Sequence, residues 1–382
     1  MVNLIACAAL AVWIYLLTAR GGFWMAAVRD EGGPIPGNWP KVTAVIPARD
    51  EADGVGETIG SLLRQDYPGA FTIVLVDDQS TDGTADVAQH AAEQAAATDR
   101  LTVLPGAQLP TGWTGKLWAM KQGIDHAATG EPKYLLLTDA DITYEPDALS
   151  RLVAKAENEN LALTSWMVKL RCESLAERAL IPAFIFFFEM LYPFDWVRRR
   201  DSATAAAAGG CMLARRDALT AAGGIEGIRG ALIDDCALAV QMKKQGPIWL
   251  GLTERAHGTR PYPEFEDIRR MVARSAYAQL KYSPILLAGT VAGMAIIYLA
   301  PVLLALFGNG FAGTAGCLAW AAMAIAFQPV LKFYNLPPFW GPLLPAIALA
   351  YMAFTLDSAY QNARGQGGLW KGRVQANATE IR

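Results

Sequence analysis

The chain has 382 residues, room for one large domain with added segments, and its 53% apolar against 18% charged residues is too apolar for an ordinary soluble domain, so membrane segments are expected. A formal charge of -3 with no clustered basic face excludes nucleic acid as an expected partner. Three histidines and five scattered cysteines, Cys7, Cys172, Cys211, Cys236 and Cys317, leave little for a zinc centre, a redox pair or a serine–histidine triad; the thiols read as reduced and buried, and any metal should sit on carboxylates.

In chain order, Asn3 to Ala19 is apolar and uncharged, and the run continues with little polarity to Ala27, long enough for the about 20 residues that cross a bilayer. No basic segment precedes it and Arg20 follows, so a retained anchor over residues 1–28 is expected rather than a cleaved signal peptide. From Lys41 onward, short β-rich runs alternate with helical stretches. Candidate strands are Val42 to Ile46, Phe71 to Val76, Leu101 to Leu104 and Tyr134 to Thr138, with helices starting near Val55, Thr84, Lys116 and Pro146. The pattern predicts a doubly wound α/β domain over residues 40–283, with ligands bound beyond the carboxyl ends of its strands.

Ile181 to Phe194 carries six aromatic rings or their close neighbours before Trp196 and the triplet Arg198, Arg199 and Arg200, which predicts an interfacial element over 181–200 with cations on anionic headgroups. After Tyr282 the charges nearly vanish, giving membrane segments over 284–358: Ile285 to Phe307 and Phe311 to Leu331 can each span, whereas Pro342 to Leu356 is shorter. A helix of that length rises about 22 Å against a hydrocarbon core of about 30 Å, and its two prolines weaken it. A full crossing would also put Arg364, Lys371 and Arg373 of the basic tail, 359–382, on the outer side. A re-entrant or surface-lying segment with an inside C-terminus is therefore expected.

Three polar clusters end the candidate strands. Val45-Ile46-Pro47-Ala48-Arg49-Asp50-Glu51 runs into a turn that can offer backbone N–H groups and carboxylates to a nucleotide. Val76-Asp77-Asp78-Gln79-Ser80-Thr81-Asp82-Gly83-Thr84 crowds its acids; Asp82 or Thr81 suits a helix cap, and Asp78 can accept from a base or ribose. Asp139-Ala140-Asp141 places two carboxylates near one point of the crevice, hard oxygen donors suited to a divalent cation, Mg2+ or Mn2+, shared with substrate phosphates. Further on, one of the adjacent acids Asp234 and Asp235 should have a raised pKa through like-charge repulsion, which suits a proton acceptor near neutral pH; Asp234 can equally cap a helix.

In this order and spacing the clusters resemble the family 2 glycosyltransferases with the GT-A nucleotide-sugar fold. The resemblance covers about Lys41 to Ser283 and implies that Glu51 and Asp78 contact the donor nucleotide, that Asp139 and Asp141 are the metal-binding pair, and that Asp235 is the base. The segment Gly112 to Gly123 is similar to the family's glycine–lysine stretch over the nucleotide, which makes Lys116 a diphosphate ligand. Ala208-Gly209-Gly210-Cys211 looks like the small-residue approach to the acceptor, placing Gly209, Gly210 and Asp234 beside it. Met271-Val272-Ala273-Arg274-Ser275 keeps only the arginine of the Gln-x-x-Arg-Trp motif of processive synthases; that argues against a polymer product and leaves Arg274, with Arg270 and Lys281 as alternates, to neutralise the leaving diphosphate. Gln279 to Ser283 and Leu369 to Arg373 narrow the resemblance to the bacterial hopanoid-associated membrane glycosyltransferases, similar to ceramide-glucosyltransferase-type enzymes.

The resemblance implies an inverting transfer from a nucleotide-sugar donor, a UDP-sugar in first place, to a membrane lipid. It also implies a multi-pass protein of the bacterial inner membrane with its catalytic domain in the cytoplasm, where Arg20, Arg29 and Lys332 flank the spans. Two rivals are a nucleotidyltransferase on a sugar phosphate, for which Ala48-Arg49-Asp50-Glu51 is too acidic a phosphate loop, and a non-catalytic scaffold, which would not be expected to keep Asp78, Asp139, Asp141 and Asp235 together.

Overall fold

Runs rich in Val, Ile and Leu become the central strands of a mixed sheet because both of their faces are covered. A computed structural model describes residues 1–31 and 33–365, and the backbone of a short hairpin, Leu369–Trp370 with Arg373–Val374. Most of the expected basic tail, Lys371 included, lies outside the described residues. The strands are β1 Val42–Ala48, β2 Phe71–Asp77, β3 Leu101–Pro105, β4 Tyr134–Thr138, β5 Ile142–Tyr144, β6 Leu163–Lys169, β7 Cys211–Arg215 and β8 Ile248–Gly258. Their order is β3-β2-β1-β4-β7-β6-β8-β5. β1 to β4 pair in parallel, β7 runs antiparallel between β4 and β6, and β5 closes the edge antiparallel to β8. Every residue of β1 and β4 is buried, as expected for strands covered on both faces. The four predicted helices are Ala52–Leu63, Thr84–Gln94, Gly115–Ala128 and Ala148–Asn158. Because β1, β2 and β4 are parallel, the three polar clusters leave the sheet at the same edge.

The chain forms two compact units: Val28–Arg171, Val197–Arg260 and Leu369–Arg382 make the sheet unit, while Met1–Ala27, Cys172–Trp196 and Pro261–Gly368 make an apolar helical unit. Packing therefore cuts the expected segment 40–283 differently from its linear bounds. The sheet unit starts at Val28, whose carbonyl accepts from Leu252 N–H at 2.9 Å, while Asp30 pairs with Arg255 at 3.1 Å.

Within the helical unit, the first helix, Val2–Ala19, stops at Arg20 instead of running to Ala27, because Gly21 and Gly22 both take a positive φ of 62°. The next apolar helix runs from Pro284 to Phe307 through a π turn at Ala295–Leu299. Pro301 has no N–H to give the Ile297 carbonyl, and the Trp13 indole N–H takes that place at 2.9 Å. Two more follow, Gly310–Phe333 and Pro338–Ala363, so among the described residues four helices are long and apolar enough to cross a membrane. The segment expected to be short is part of the last of these: a 3-10 turn at Pro338–Leu343 leads into a 20-residue α-helix, Leu344–Ala363. Pro345 sits in the opening turn of the α-helix, which needs no N–H, and Pro342 lies in the 3-10 turn before it, so shortness does not bar the segment from crossing. Its start lies against the preceding helix, with Trp320 donating to the Pro342 carbonyl at 2.9 Å and Gln328 to that of Pro338 at 3.2 Å. Its far end meets residues that precede Pro284: Asp357 pairs with Arg269, and Ser358 Oγ accepts from Tyr277 N–H at 3.0 Å.

The aromatic run lies mostly on the helix Leu175–Leu191, opened by a capping box between Ser174 and Glu177. Phe186 is fully buried, with ring centroids 5.2 Å from Phe23 and 5.4 Å from Phe327, so this part of the expected interfacial element is core of the helical unit. The cysteines also divide: Cys211 and Cys236 are buried as expected, Cys172 is half-buried, and Cys7 and Cys317 are exposed on outward faces of apolar helices.

Candidate active site

The loops after β1 and β2 are laced to each other. Asp50 N–H donates to Ser80 Oγ at 3.0 Å, Thr81 N–H to Asp50 Oδ1 at 2.8 Å, Glu51 N–H to Thr84 Oγ1 at 2.9 Å and Ala52 N–H to Asp82 Oδ2 at 2.9 Å. Asp82 also accepts from Thr84 N–H at 3.0 Å, but the N-cap of that helix is Gly83, without a side-chain cap bond, so neither Asp82 nor Thr81 is the expected cap. Lacing thus engages Asp50 and Asp82 and sets Glu51 and Asp78 apart from the crowd of acids. Asp78 is fully buried, with Arg49 Nη1 3.9 Å from its Oδ2, the kind of partner a buried carboxylate requires.

Lys116 stands in the first turn of the helix Gly115–Ala128, opened by Thr114, whose Oγ1 accepts from Leu117 N–H and whose own N–H donates to the Arg229 carbonyl at 2.9 Å. This helix lies tight on the sheet, since a Cβ at Gly123 would come within 2.5 Å of Val45 Cγ1. Lys116 Nζ reaches Asp139 Oδ1 at 2.8 Å and Asp234 Oδ2 at 3.3 Å. Burial alone would lower its pKa, but the carboxylates of Asp139, Asp234 and Asp235 outweigh that and hold it above its usual value.

Asp234 and Asp235 open the helix Asp234–Lys243, as predicted. Asp235 Oδ2 accepts from Gly209 N–H at 3.0 Å and Oδ1 from Cys236 N–H at 2.7 Å. Gly209 is itself fixed by the buried Ser165 hydroxyl, which accepts from Ala208 N–H at 2.9 Å and donates to the Cys211 carbonyl at 2.9 Å. Burial and then the neighbouring Asp234 push the Asp235 carboxyl up to about 6, against the pull of Lys116 and the two backbone N–H groups. A Cβ at Gly209 would face Lys116 Nζ at 3.4 Å and Asp235 Oδ2 at 3.6 Å, so this glycine borders the crevice. Gly210 is different: a Cβ there would meet Val168 Cγ2 at 2.9 Å, and its carbonyl accepts from Thr138 Oγ1 at 2.8 Å, so core packing accounts for that glycine.

The structure adds a residue absent from the sequence-based set. Arg260, just past β8, pairs through Nη2 with both Glu51 oxygens at 2.7 Å and through Nε with Asp141 Oδ2 at 2.8 Å. Its only sequence signal is a cation following a strand whose own charges, Glu254 and Arg255, conceal it. Lys116, Asp139, Asp234, Asp235 and Gly209 thus form one cluster, and Glu51, Asp141 and Arg260 a second. Asp139 and Asp141 supply hard oxygens with side chains 34% and 21% exposed, reachable by a cation. Among the described residues no group of three or more His, Cys, Asp or Glu could cage a metal, but one or two carboxylates completed by substrate phosphates suffice for a magnesium-type site, so the donor set fits. Arg274 caps the C-terminus of the helix Phe265–Ala273 and belongs to the helical unit.

Comparison with known proteins agrees with this fold. Residues 43–222 match the model of glycosyl transferase family 2. The 4,4'-diaponeurosporenoate glycosyltransferase of Staphylococcus aureus (strain bovine RF122 / ET3-1) is 32% identical over 117 residues, 30% of this chain and 28% of that one, so the match spans little more than a quarter of that relative. The fold is shared with the mannosyltransferase PcManGT from Pyrobaculum calidifontis, solved in complex with GDP-Man and Mn2+: the TM-score is 0.55 at 21% identity, covering 98% of this chain and 100% of that one. With a mixed α/β sheet of the GT-A kind, paired acids at its strand ends and the family match over the same strands, residues 43–222 carry a domain of the glycosyl transferase family 2 kind.

Proposed function

We propose that the chain transfers a sugar from a nucleotide-diphosphate donor to the hydroxyl of a membrane lipid by a single inverting displacement, with Asp235 as the base. The observation that carries this is the Asp235 carboxylate: buried, aimed by the Gly209 and Cys236 N–H groups, and raised to about 6, so that it is mostly ionised at pH 7 yet basic enough to accept a proton. The acceptor oxygen gives its proton to Asp235 and attacks the anomeric carbon, and the bond from that carbon to the diphosphate oxygen breaks. Inversion follows from one displacement. Lys116 and Arg260, which neutralise Asp139, Asp234, Glu51 and Asp141 here, are the cations able to turn toward the diphosphate as negative charge grows on it. Asp139 and Asp141 would hold a divalent cation, Mg2+ or Mn2+, which when bound supplies further positive charge for the leaving diphosphate. Glu51 and Asp78 are assigned to the nucleotide, Gly209 and Asp234 to the acceptor side, and Gly210 to that side only through the backbone it shares with Gly209.

The same proposal places the protein in a bacterial inner membrane with the sheet unit in the cytoplasm, where nucleotide sugars are made. In this topology the turn Pro338–Leu343 lies within the membrane and the helix Leu344–Ala363 returns from it to the cytoplasmic side. Support comes from its two ends: its start packs beside Trp320 and Gln328, partway along the preceding helix, and its end meets Arg269 and Tyr277, which precede the first of the C-terminal spans.

The test uses purified full-length protein in lipid nanodiscs with UDP-glucose, UDP-N-acetylglucosamine or GDP-mannose, each with and without a hopanoid, diaponeurosporenoate or a ceramide. Lipid-dependent release of nucleoside diphosphate together with a glycosylated lipid is expected. Release without any glycosylated lipid would remove the acceptor assignment, and inertness with every donor would overturn the reaction.

A further inference from the structure

We propose that Arg229 binds the diphosphate of the nucleotide-sugar donor beside Lys116, an inference that rests on the donor chemistry proposed above. Arg229 belongs to a strap over residues 223–233 that leads from two positive-φ glycines, Gly223 and Gly224, to Asp234 and Asp235. The strap crosses the start of the helix Gly115–Ala128, which carries Lys116. Glu226 pairs with Lys121 of that helix at 3.0 Å, the Arg229 carbonyl accepts from the N–H of the capping Thr114 at 2.9 Å, and Asp234 Oδ2 meets Lys116 Nζ at 3.3 Å. Arg229 is thus bracketed by two other contacts with the same helix, and its own contact holds it beside the residue that caps the turn of Lys116.

On its other side Arg229 faces the loop over residues 106–114, which leaves β3 at the same edge as the polar clusters because β3 pairs in parallel with β2. The loop begins against the second cluster: Gly106 N–H donates to the Asp77 carbonyl at 2.8 Å, and a Cβ on Gly106 would come within 2.9 Å of Asp78 Cα. Ala107 is held from the helix, its N–H donating to Gln122 Oε1 at 2.8 Å and its carbonyl accepting from the Trp118 indole N–H at 3.2 Å. Near the end of the loop the Trp113 ring meets that of Trp118 edge to face at 5.2 Å, and a Cβ on Gly112 would lie 4.0 Å from Arg229 Nε. The loop is therefore a fixed wall from Asp78, assigned to the nucleotide, to Lys116, and the Arg229 guanidinium flanks its Lys116 end.

Charge makes a further cation valuable at this place. In the two clusters Lys116 and Arg260 face five carboxylates, Glu51, Asp139, Asp141, Asp234 and Asp235, and both cations are already paired. A diphosphate adds negative charge to this deficit, and drawing Lys116 or Arg260 toward it uncovers the carboxylates that each neutralises. Arg229 has no such commitment: its side chain is exposed and, among the described residues, makes no ion pair or hydrogen bond. It can turn two N–H groups to phosphate oxygens without uncovering a charge elsewhere. Of the two ligands in the proposed reaction, the acceptor hydroxyl is neutral and the donor brings the anion.

The test titrates full-length protein in lipid nanodiscs, with Mg2+ present, against UDP and GDP by calorimetry and against uridine and guanosine by ligand-detected NMR. Wild type should bind one of the two series, the diphosphate more tightly than its nucleoside. Arg229→Gln, with its fold checked by melting temperature, should weaken the diphosphate by about tenfold or more, the size of one lost hydrogen bond to a charged group, and leave the nucleoside unchanged. Arg229→Lys should recover part of that loss. Equal diphosphate binding by Arg229→Gln and wild type, or an equal loss for nucleoside and diphosphate, would overturn the assignment while leaving the transfer reaction standing. Wild type that binds neither series would overturn the donor reading, and the role of Arg229 with it.

Discussion

The sheet unit and the helical unit bury opposite things. In the first, Asp78, Thr138, Thr164 and Ser165 are fully hidden within an apolar framework, most with named partners. In the second, Ile285 is 83% exposed, Phe307 77% and Leu318 55%, and the helix Pro284–Met294 has no buried residue at all. One hydrophobic effect cannot produce both surfaces in one solvent. The sheet unit is built for water outside and a pre-set electrostatic site inside; the helices, with their backbone groups satisfied within each helix, are built for lipid outside.

The strongest way to break the comparison is at the buried carboxylate. Asp235→Asn should lower kcat by about 100-fold or more while leaving donor affinity nearly intact, since a lost general base affects turnover. In the unmodified protein log kcat should rise with pH below about 6 and level off above it, because the base works ionised and its raised pKa moves the acid limb up from the ordinary carboxylate range. The Asn variant should have no such limb. A collapse of donor binding along with the rate would make Asp235 a donor ligand.

Next in size come the two carboxylates assigned to the cation. Asp139→Ala and Asp141→Ala should each weaken donor binding, measured by calorimetry with Mg2+ or Mn2+ present, by about tenfold or more, because the cation couples protein to diphosphate. Unaltered donor binding and activity in excess chelator would leave the pair to Lys116 and Arg260 alone.

The lipid-facing half is sharpened by Ile296→Asp, at the middle of Pro284–Phe307, where the side chain is 38% exposed. On a water-facing surface this change would be nearly neutral; at a bilayer centre it should cost about 2.5–3.5 kcal/mol of insertion, read as a smaller carbonate-resistant membrane fraction. The smallest signal is topological. A cysteine at Gln375, in a chain whose native cysteines are replaced by serine, should stay unlabelled by an impermeant reagent outside intact cells; strong labelling would mean that the last helix crosses.

The first four strands, their helices and the acids at their ends were legible in the amino-acid order: β1, β2 and β4 are apolar runs because the sheet covers both their faces, and their parallel pairing brings their ends to one edge. The sequence by itself also determined the apolar helices, since length and composition decide that question. β6 and β8 were not legible: Thr164, Ser165, Glu254 and Arg255 interrupt their apolar pattern. Only the tertiary structure decided the charge pairing. Arg260 meets Glu51 across 209 positions of chain and Asp141 across 119, distances over which no local pattern carries information. Nor could spacing tell how the Asp235 carboxyl is held, because its burial, the nearby Lys116 ammonium and the aim of the Gly209 N–H are set by parts of the chain that meet only in the fold.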